Sequence, residues 1–93
     1  MKIHEFLTDE TQWTRGAFAR KKNGVSCSSL DPEAISWCLS GLVRKVYPEF
    51  QREGIINILC KELKYDAFGL SIWNDLPGRT FSDIKALALQ KDI

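Results

Sequence analysis

The run Trp73-Asn74-Asp75-Leu76-Pro77-Gly78-Arg79-Thr80 constrains this chain more than any other stretch. Proline followed by glycine reverses the backbone. Proline presets one φ, and glycine supplies the positive φ that a type II turn needs next. Thr80 and Asp83 then open a helix as a capping-box-like pair, with aspartate in place of the usual glutamate. Phe81, Ile84, Leu87 and Ala88 give that helix its buried face. The run is therefore a corner leading into a final helix. Two readings of its side chains are open. In one, Asn74 or Asp75 makes an Asx turn, Arg79 folds back on Asp75 and Trp73 docks in the core. In the other, Trp73, Asp75 and Arg79 face a partner, since tryptophan and arginine are enriched in binding hot spots.

Similar punctuation divides the rest of the chain. Residues 2–8 make one or two helical turns, with Ile3, Phe6 and Leu7 as apolar contacts. Asn23-Gly24 between two short extended runs signals a type I′ hairpin, with strands at 14–20 and 25–28. Asp31-Pro32-Glu33 reads as a helix start: an Asx cap, proline at the first helical position and a first-turn carboxylate. Ile35, Cys38, Leu39, Leu42 and Val46 then recur at helical spacing, and Pro48 stops that helix near Tyr47. Gly41 inside it marks a close backbone approach, by the hairpin or by the corner. A further helix spans Glu49 to Leu63, with Ile55, Ile56, Leu59, Cys60 and Leu63 as its stripe and Ile58 at the edge. The segment Tyr65 to Gly69 ends it in a glycine cap or turn.

The expected fold is α+β. Three main helices and a short N-terminal helical turn carry one two-stranded β-hairpin, all in a single domain over residues 1–93. Trp37, Cys38 and Trp73 are expected near one another. Ninety-three residues leave a modest core, which three Trp, two Tyr and five Phe help to fill.

Composition narrows the chemistry. The net charge of +1 provides no global field toward nucleic acid or a membrane. No apolar run is long enough to span a bilayer, and the first residues lack a secretory apolar region, so the expected location is the cytoplasm. Cys27, Cys38 and Cys60 match no zinc or redox spacing and read as reduced, mostly buried thiols. His4 is the only histidine and reads as a surface residue, which leaves no Ser-His or Cys-His pair. The carboxylates are dispersed, and no glycine-rich phosphate loop is present. Neither a cofactor nor a metal is expected. The basic residues Arg15, Arg20, Lys21 and Lys22, interleaved with Trp13 and Phe18, fit a phosphate-contacting hairpin. The near-zero net charge favours instead a solvated hairpin tip, its field diluted by the acidic residues at 5, 9 and 10.

Three segments together resemble an uncharacterised family of small bacterial and phage proteins. They are Trp13-Thr-Arg-Gly-Ala-Phe-Ala-Arg20, Ala34-Ile-Ser-Trp37-Cys38-Leu39-Ser-Gly41 and Trp73-Asn74-Asp75-Leu-Pro77-Gly78-Arg79-Thr80. They match the family's motifs in order, over about Trp13 to Leu87. The chain departs from the family in its short N-terminal helix and in Leu42, where alanine is frequent. The family is a domain of unknown function, so the resemblance transfers no activity.

Size, the lack of a catalytic constellation, aromatic richness and the resemblance define the first expectation. It is a small non-enzymatic protein-binding or inhibitor protein, phage- or mobile-element-encoded and directed at a host system such as a defence complex. Its candidate contacts are Trp73, Asp75, Arg79, Arg15, Arg20, Lys21 and Lys22. The alternatives are a nucleic-acid-binding module using hairpin 15–22 and a small enzyme built on Asp75 and Arg79.

Overall fold

The computed structural model describes residues 1–93, and its sheet grows from the Lys22-Asn23-Gly24 turn. Strands β1 (Ala19–Lys21) and β2 (Ser26–Cys27) pair antiparallel, with Ala19 opposite Cys27 and Arg20 opposite Ser26. The turn is not type I′, because only Gly24 has a positive φ, +86°. Gly24 N–H donates to Lys21 O and Lys21 N–H to Val25 O, each at 2.9 Å. The result is a three-residue loop ending in a left-handed glycine, which leaves Asn23 in ordinary backbone. The Asn23 side chain supports the loop by accepting from Val25 N–H at 3.1 Å.

The larger correction lies at Asp31-Pro32-Glu33. Asp31 Oδ1 accepts from Glu33 N–H at 2.8 Å, and Asp31 O accepts from Ala34 N–H at 3.0 Å. An aspartate before proline can start a turn as well as a helix, and here the turn feeds a strand. Strand β3 (Ala34–Trp37) pairs antiparallel with the far side of β1, with a register shift between Arg20 and Lys21. The sheet thus has three strands in the order β2-β1-β3, not two. Ile35, expected on a helical stripe, is an exposed strand residue, while Ser36 and Trp37 are buried.

Helix α1 (Ile3–Phe6) forms where expected, and Ile3 and Leu7 are fully buried. The Phe6 ring meets Trp37 edge-on, with centroids 5.3 Å apart. Helix α2 (Leu39–Val46) starts seven residues later than the Asp31 signal implied, with Cys38 rather than Asp31 as its cap residue. Leu39, Gly41, Leu42 and Val43 are buried. A Cβ on Gly41 would lie 2.0 Å from Phe18 O, so this is the close approach the glycine signalled, and the intruder is the segment entering β1. Helix α2 ends before Pro48, and α3 (Glu49–Leu63) follows at once. Arg52 of α3 reaches back to the carbonyl oxygens of Tyr47 and Arg44, at 3.0 and 3.1 Å, satisfying acceptors that a helix end leaves free.

The expected stripe of α3 packs on the core, with Leu59 fully buried and Ile58 at the exposed edge. The helix stops one residue past Leu63 at Lys64, which is left-handed at φ 60° and ψ 37°. Gly69 is not that cap. It lies in the first turn of a helix absent from the sequence reading, α4 (Gly69–Asp75). Asp66 Oδ1 accepts from Gly69 N–H at 2.8 Å. The segment 70–73 is therefore helical, and Trp73, Asn74 and Asp75 belong to its last turn. Beyond it the Pro-Gly turn forms as expected: Arg79 N–H donates to Leu76 O at 3.0 Å, and Gly78 has φ +85°. Thr80 and Asp83 cap α5 (Phe81–Lys91) reciprocally, through bonds of 3.0 and 3.3 Å. The five helices and the sheet share one core. No helix is long and apolar enough to cross a membrane.

Candidate functional site

Asn74 organises the corner. Its side chain is fully buried on the inner face of α4. Oδ1 accepts from the indole N–H of Trp13 at 2.8 Å and from Leu39 N–H at 3.0 Å. Nδ2 donates to Thr14 O at 3.1 Å and to Asp75 Oδ1 at 2.9 Å. One carboxamide thus ties α4 to the strand leading into β1 and to the first residue of α2. The expected Asx turn does not form, because the side chain is spent on partners far away in sequence. It also joins the helix carrying Trp73 to the junction carrying Trp37 and Cys38.

The sequence-predicted residues divide into two groups. Trp73, Asp75, Arg79 and Arg15 meet at this corner. The Arg79 guanidinium lies over the Trp73 ring, 3.7 Å from its centroid, and Nε donates to Trp73 O at 3.0 Å. Its ionic partner is Asp83, at 3.8 Å, rather than Asp75. Arg15 lies over the Trp13 ring at 5.1 Å and donates to Arg79 O, closing the corner from the other side. Asp75 is exposed, and Gly16 N–H donates to its Oδ1 at 3.1 Å. Asp75 has no ion-pair partner.

Arg20, Lys21 and Lys22 belong to the hairpin, and of these Arg20 reaches back to Thr14 and Arg15 beside the corner. Arg20 spends its guanidinium on Thr14 Oγ1, Gly24 O and Arg15 O, at 3.0, 3.0 and 2.9 Å. It is the internal brace of the hairpin. Lys21 pairs with Glu33 across the sheet at 3.3 Å, which holds its ammonium above the usual lysine pKa. Lys22 is exposed at the tip.

Beside the corner lies a surface that sequence reasoning missed. Phe68, Ser71, Ile72 and Asp75 fall at helical spacings i, i+3, i+4 and i+7, so they share the outer face of α4. Leu70 and Asn74 point the other way, into the core. Two adjoining hollows, of about 260 and 370 Å³, share Phe18 and Ser71. The first is lined by Gly16, Ala17, Cys38 and Asp75, and the second by Ser40, Arg44, Ile56, Ala67 and Phe68. Phe68 is 88% exposed, Ile72 60% and Phe18 51%. Arg44 covers part of the Phe18 ring, with Cζ 5.5 Å from the centroid. The two hollows of this groove thus share an aromatic ring and a hydroxyl, with a carboxylate lining the first and a guanidinium lining the second. The spacing over 68–75 spans only about two helical turns, too few for the sequence alone to mark a helix there.

Cys38 lines the groove but is tuned away from reactivity. Burial pushes its thiol pKa up, and the Gly41 N–H, which donates to Sγ at 3.4 Å, opposes that only in part. The thiol is therefore protonated at neutral pH and serves as a helix cap. Cys27 and Cys60 are also free thiols. No group of three His, Cys, Asp or Glu side chains is placed to hold a metal ion. His4 is partly buried, with Nε2 3.0 Å from Asp92 Oδ1, at the opposite end of the chain from the corner motif.

The fold and site together define a small α+β domain with an apolar groove beside a rigid corner. No protein-family model, characterised protein sequence or solved structure matches the chain.

Proposed function

We propose that this chain is a small non-enzymatic protein-binding protein that docks its partner on the outer face of α4. The observation that carries the reading is the pair of exposed rings, Phe68 and Phe18, flanking a continuous groove. Exposed apolar surface of this kind marks interaction sites on proteins of ordinary composition. The motif resemblance to small bacterial and phage proteins supports a narrower reading. In it the protein is an inhibitor carried by a phage or mobile element, acting in the host cytoplasm, with a defence complex as the first target to test.

Affinity capture from native cells tests the proposal. The baits are the wild type, a Phe68→Ser/Ile72→Ser double variant and Lys22→Ala. Burying a phenylalanine contributes about 1.5–3 kcal/mol, so the double variant should lose its partner by tenfold or more. Lys22→Ala should retain it. A partner set identical for wild type and double variant sinks the proposal. A set that depends on Lys22 and vanishes on nuclease treatment replaces it with nucleic-acid binding through the hairpin.

A further inference from the structure

Resting on the protein-binding reading, we infer that the groove accepts a partner segment of defined polarity: a Lys or Arg that pairs with Asp75, then apolar side chains against Phe18 and Phe68, then an acidic residue toward Arg44. The argument is charge complementarity in a held geometry. The Asp75 carboxylate is positioned by two N–H donors on one oxygen, Gly16 N–H at 3.1 Å and Asn74 Nδ2 at 2.9 Å. Its other oxygen has no partner within the chain. Asn74 is itself immobilised by three further bonds, so the carboxylate sits on a rigid mount.

The nearby arginines are directed elsewhere. Arg15 lies on Trp13, Arg79 on Trp73, and Arg20 is spent on the hairpin loop. Asp75 is the only charged side chain lining the first hollow, and Arg44 is the only one lining the second. Arg44 lies over the Phe18 ring of the groove itself and forms no ion pair within the chain. An unpaired carboxylate lining one hollow and a guanidinium lining the next, with Phe18 between them, select the order of charges along a bound segment. Such a charge-assisted pair, partly shielded by the groove walls, is stronger than one on open surface.

Selection from a library of random short peptides, with the intact protein as bait, tests the inference. Wild type should enrich peptides with a basic residue spaced from an acidic one by apolar residues. Asp75→Asn keeps the oxygen that accepts from Gly16 and removes only the charge. It should weaken the best peptide about tenfold or more, and replacing the peptide's basic residue by Gln should then cost nothing further. The Phe68→Ser protein should bind none of the enriched peptides. Peptides that depend on Phe68 but show no basic preference, or that bind Asp75→Asn equally well, overturn this inference and leave the protein-binding reading standing. No Phe68-dependent peptide at all sinks both. Concentration-dependent self-association abolished by Phe68→Ser would assign the groove to a second copy of the chain and also overturn the inference.

Discussion

Asn74 joins its helix to two segments, Leu39 and Trp13-Thr14, that lie 35 and at least 60 residues away, using every hydrogen-bonding site of its carboxamide. Replacing it by alanine strands Leu39 N–H and the Trp13 indole N–H in a buried setting. Each orphaned group costs about 1–3 kcal/mol, so Asn74→Ala should destabilise the fold by about 3 kcal/mol or more. Urea unfolding followed by tryptophan fluorescence measures this, and a loss below about 1 kcal/mol would remove Asn74 from its central place. Asn74→Asp is the sharper variant. It keeps the shape but converts the donor to an acceptor facing Thr14 O and Asp75 Oδ1, so it should be no more stable than the alanine variant at neutral pH. The sequence motif drew attention to Trp73, Asp75 and Arg79. It could not show Asn74 as the hub, because nothing local distinguishes an Asx turn from a carboxamide whose partners are Trp13, Thr14 and Leu39.

At the scale of elements, two helical glycines make opposite predictions. Gly54 in α3 has nothing within 4 Å of where a Cβ would sit. Gly54→Ala should therefore stabilise by about 0.5–1 kcal/mol, the propensity difference alone. At Gly41 in α2 the Cβ would strike the Phe18 carbonyl, which belongs to backbone and cannot swing aside. The same propensity gain is there overwhelmed, and Gly41→Ala should cost about 1–3 kcal/mol or more. Thermal melts of the two variants separate them by sign. Equal signs would mean that the β1 entry is free to shift. Lys64 offers a third case: left-handed backbone costs a non-glycine residue about 1–2 kcal/mol, so Lys64→Gly should raise stability by roughly half to all of that. Helix α3 was legible because apolar residues recur at helical spacing from Ile55 to Leu63, and α5 because such a stripe follows the Thr80–Asp83 cap. Helix α4 was not, since seven residues between a turn and a Pro-Gly corner leave too little periodicity to detect. Strand β3 was misread for another reason. Asp31-Pro32-Glu33 is chemically both a helix start and a turn, and only pairing with β1 decides between them. The groove was lost with α4, while Gly41 correctly announced a close approach whose partner, Phe18 O, lies 23 residues away.

At the scale of the whole molecule the two ends of the chain are clasped together. His4 N–H donates to Ile93 O at 3.0 Å, and Ile93 is buried. Asp92, left-handed at φ 52° after α5, takes Lys2 Nζ at 2.6 Å and His4 Nε2 at 3.0 Å. Lys85 Nζ donates to Leu7 O at 2.6 Å, and Lys91 pairs with Glu62 of α3 at 2.8 Å. These contacts set the pH response. The hydrogen bond from Lys2, then that from His4, lowers the Asp92 pKa; Lys91 lowers that of Glu62; and the N–H and hydroxyl of Thr11 lower that of Asp9. A carboxyl lowered on folding contributes stability that is present above its unfolded pKa and lost as pH falls through its folded one. Stability should therefore decline on the acid side, below the ordinary values of 3.8 for Asp and 4.5 for Glu. Lys2, raised chiefly by the same bond to Asp92, has the opposite sign: its contribution holds below 10.5 and is lost as pH rises beyond it. Asp92→Asn isolates the clasp, because asparagine tolerates left-handed backbone and keeps an acceptor oxygen but not the charge. The variant should melt lower than wild type at neutral pH and approach the wild-type curve as pH falls from about 4 to about 2, where wild type has lost the same charge. Asp92 is exposed and Lys2 about half exposed, so salt at about 0.5 M should narrow the gap at neutral pH by screening. Melting curves that stay parallel across the acid range, with a gap indifferent to salt, would mean that burial of Ile93 holds the ends together and that the charges on Lys2 and Asp92 contribute nothing to it.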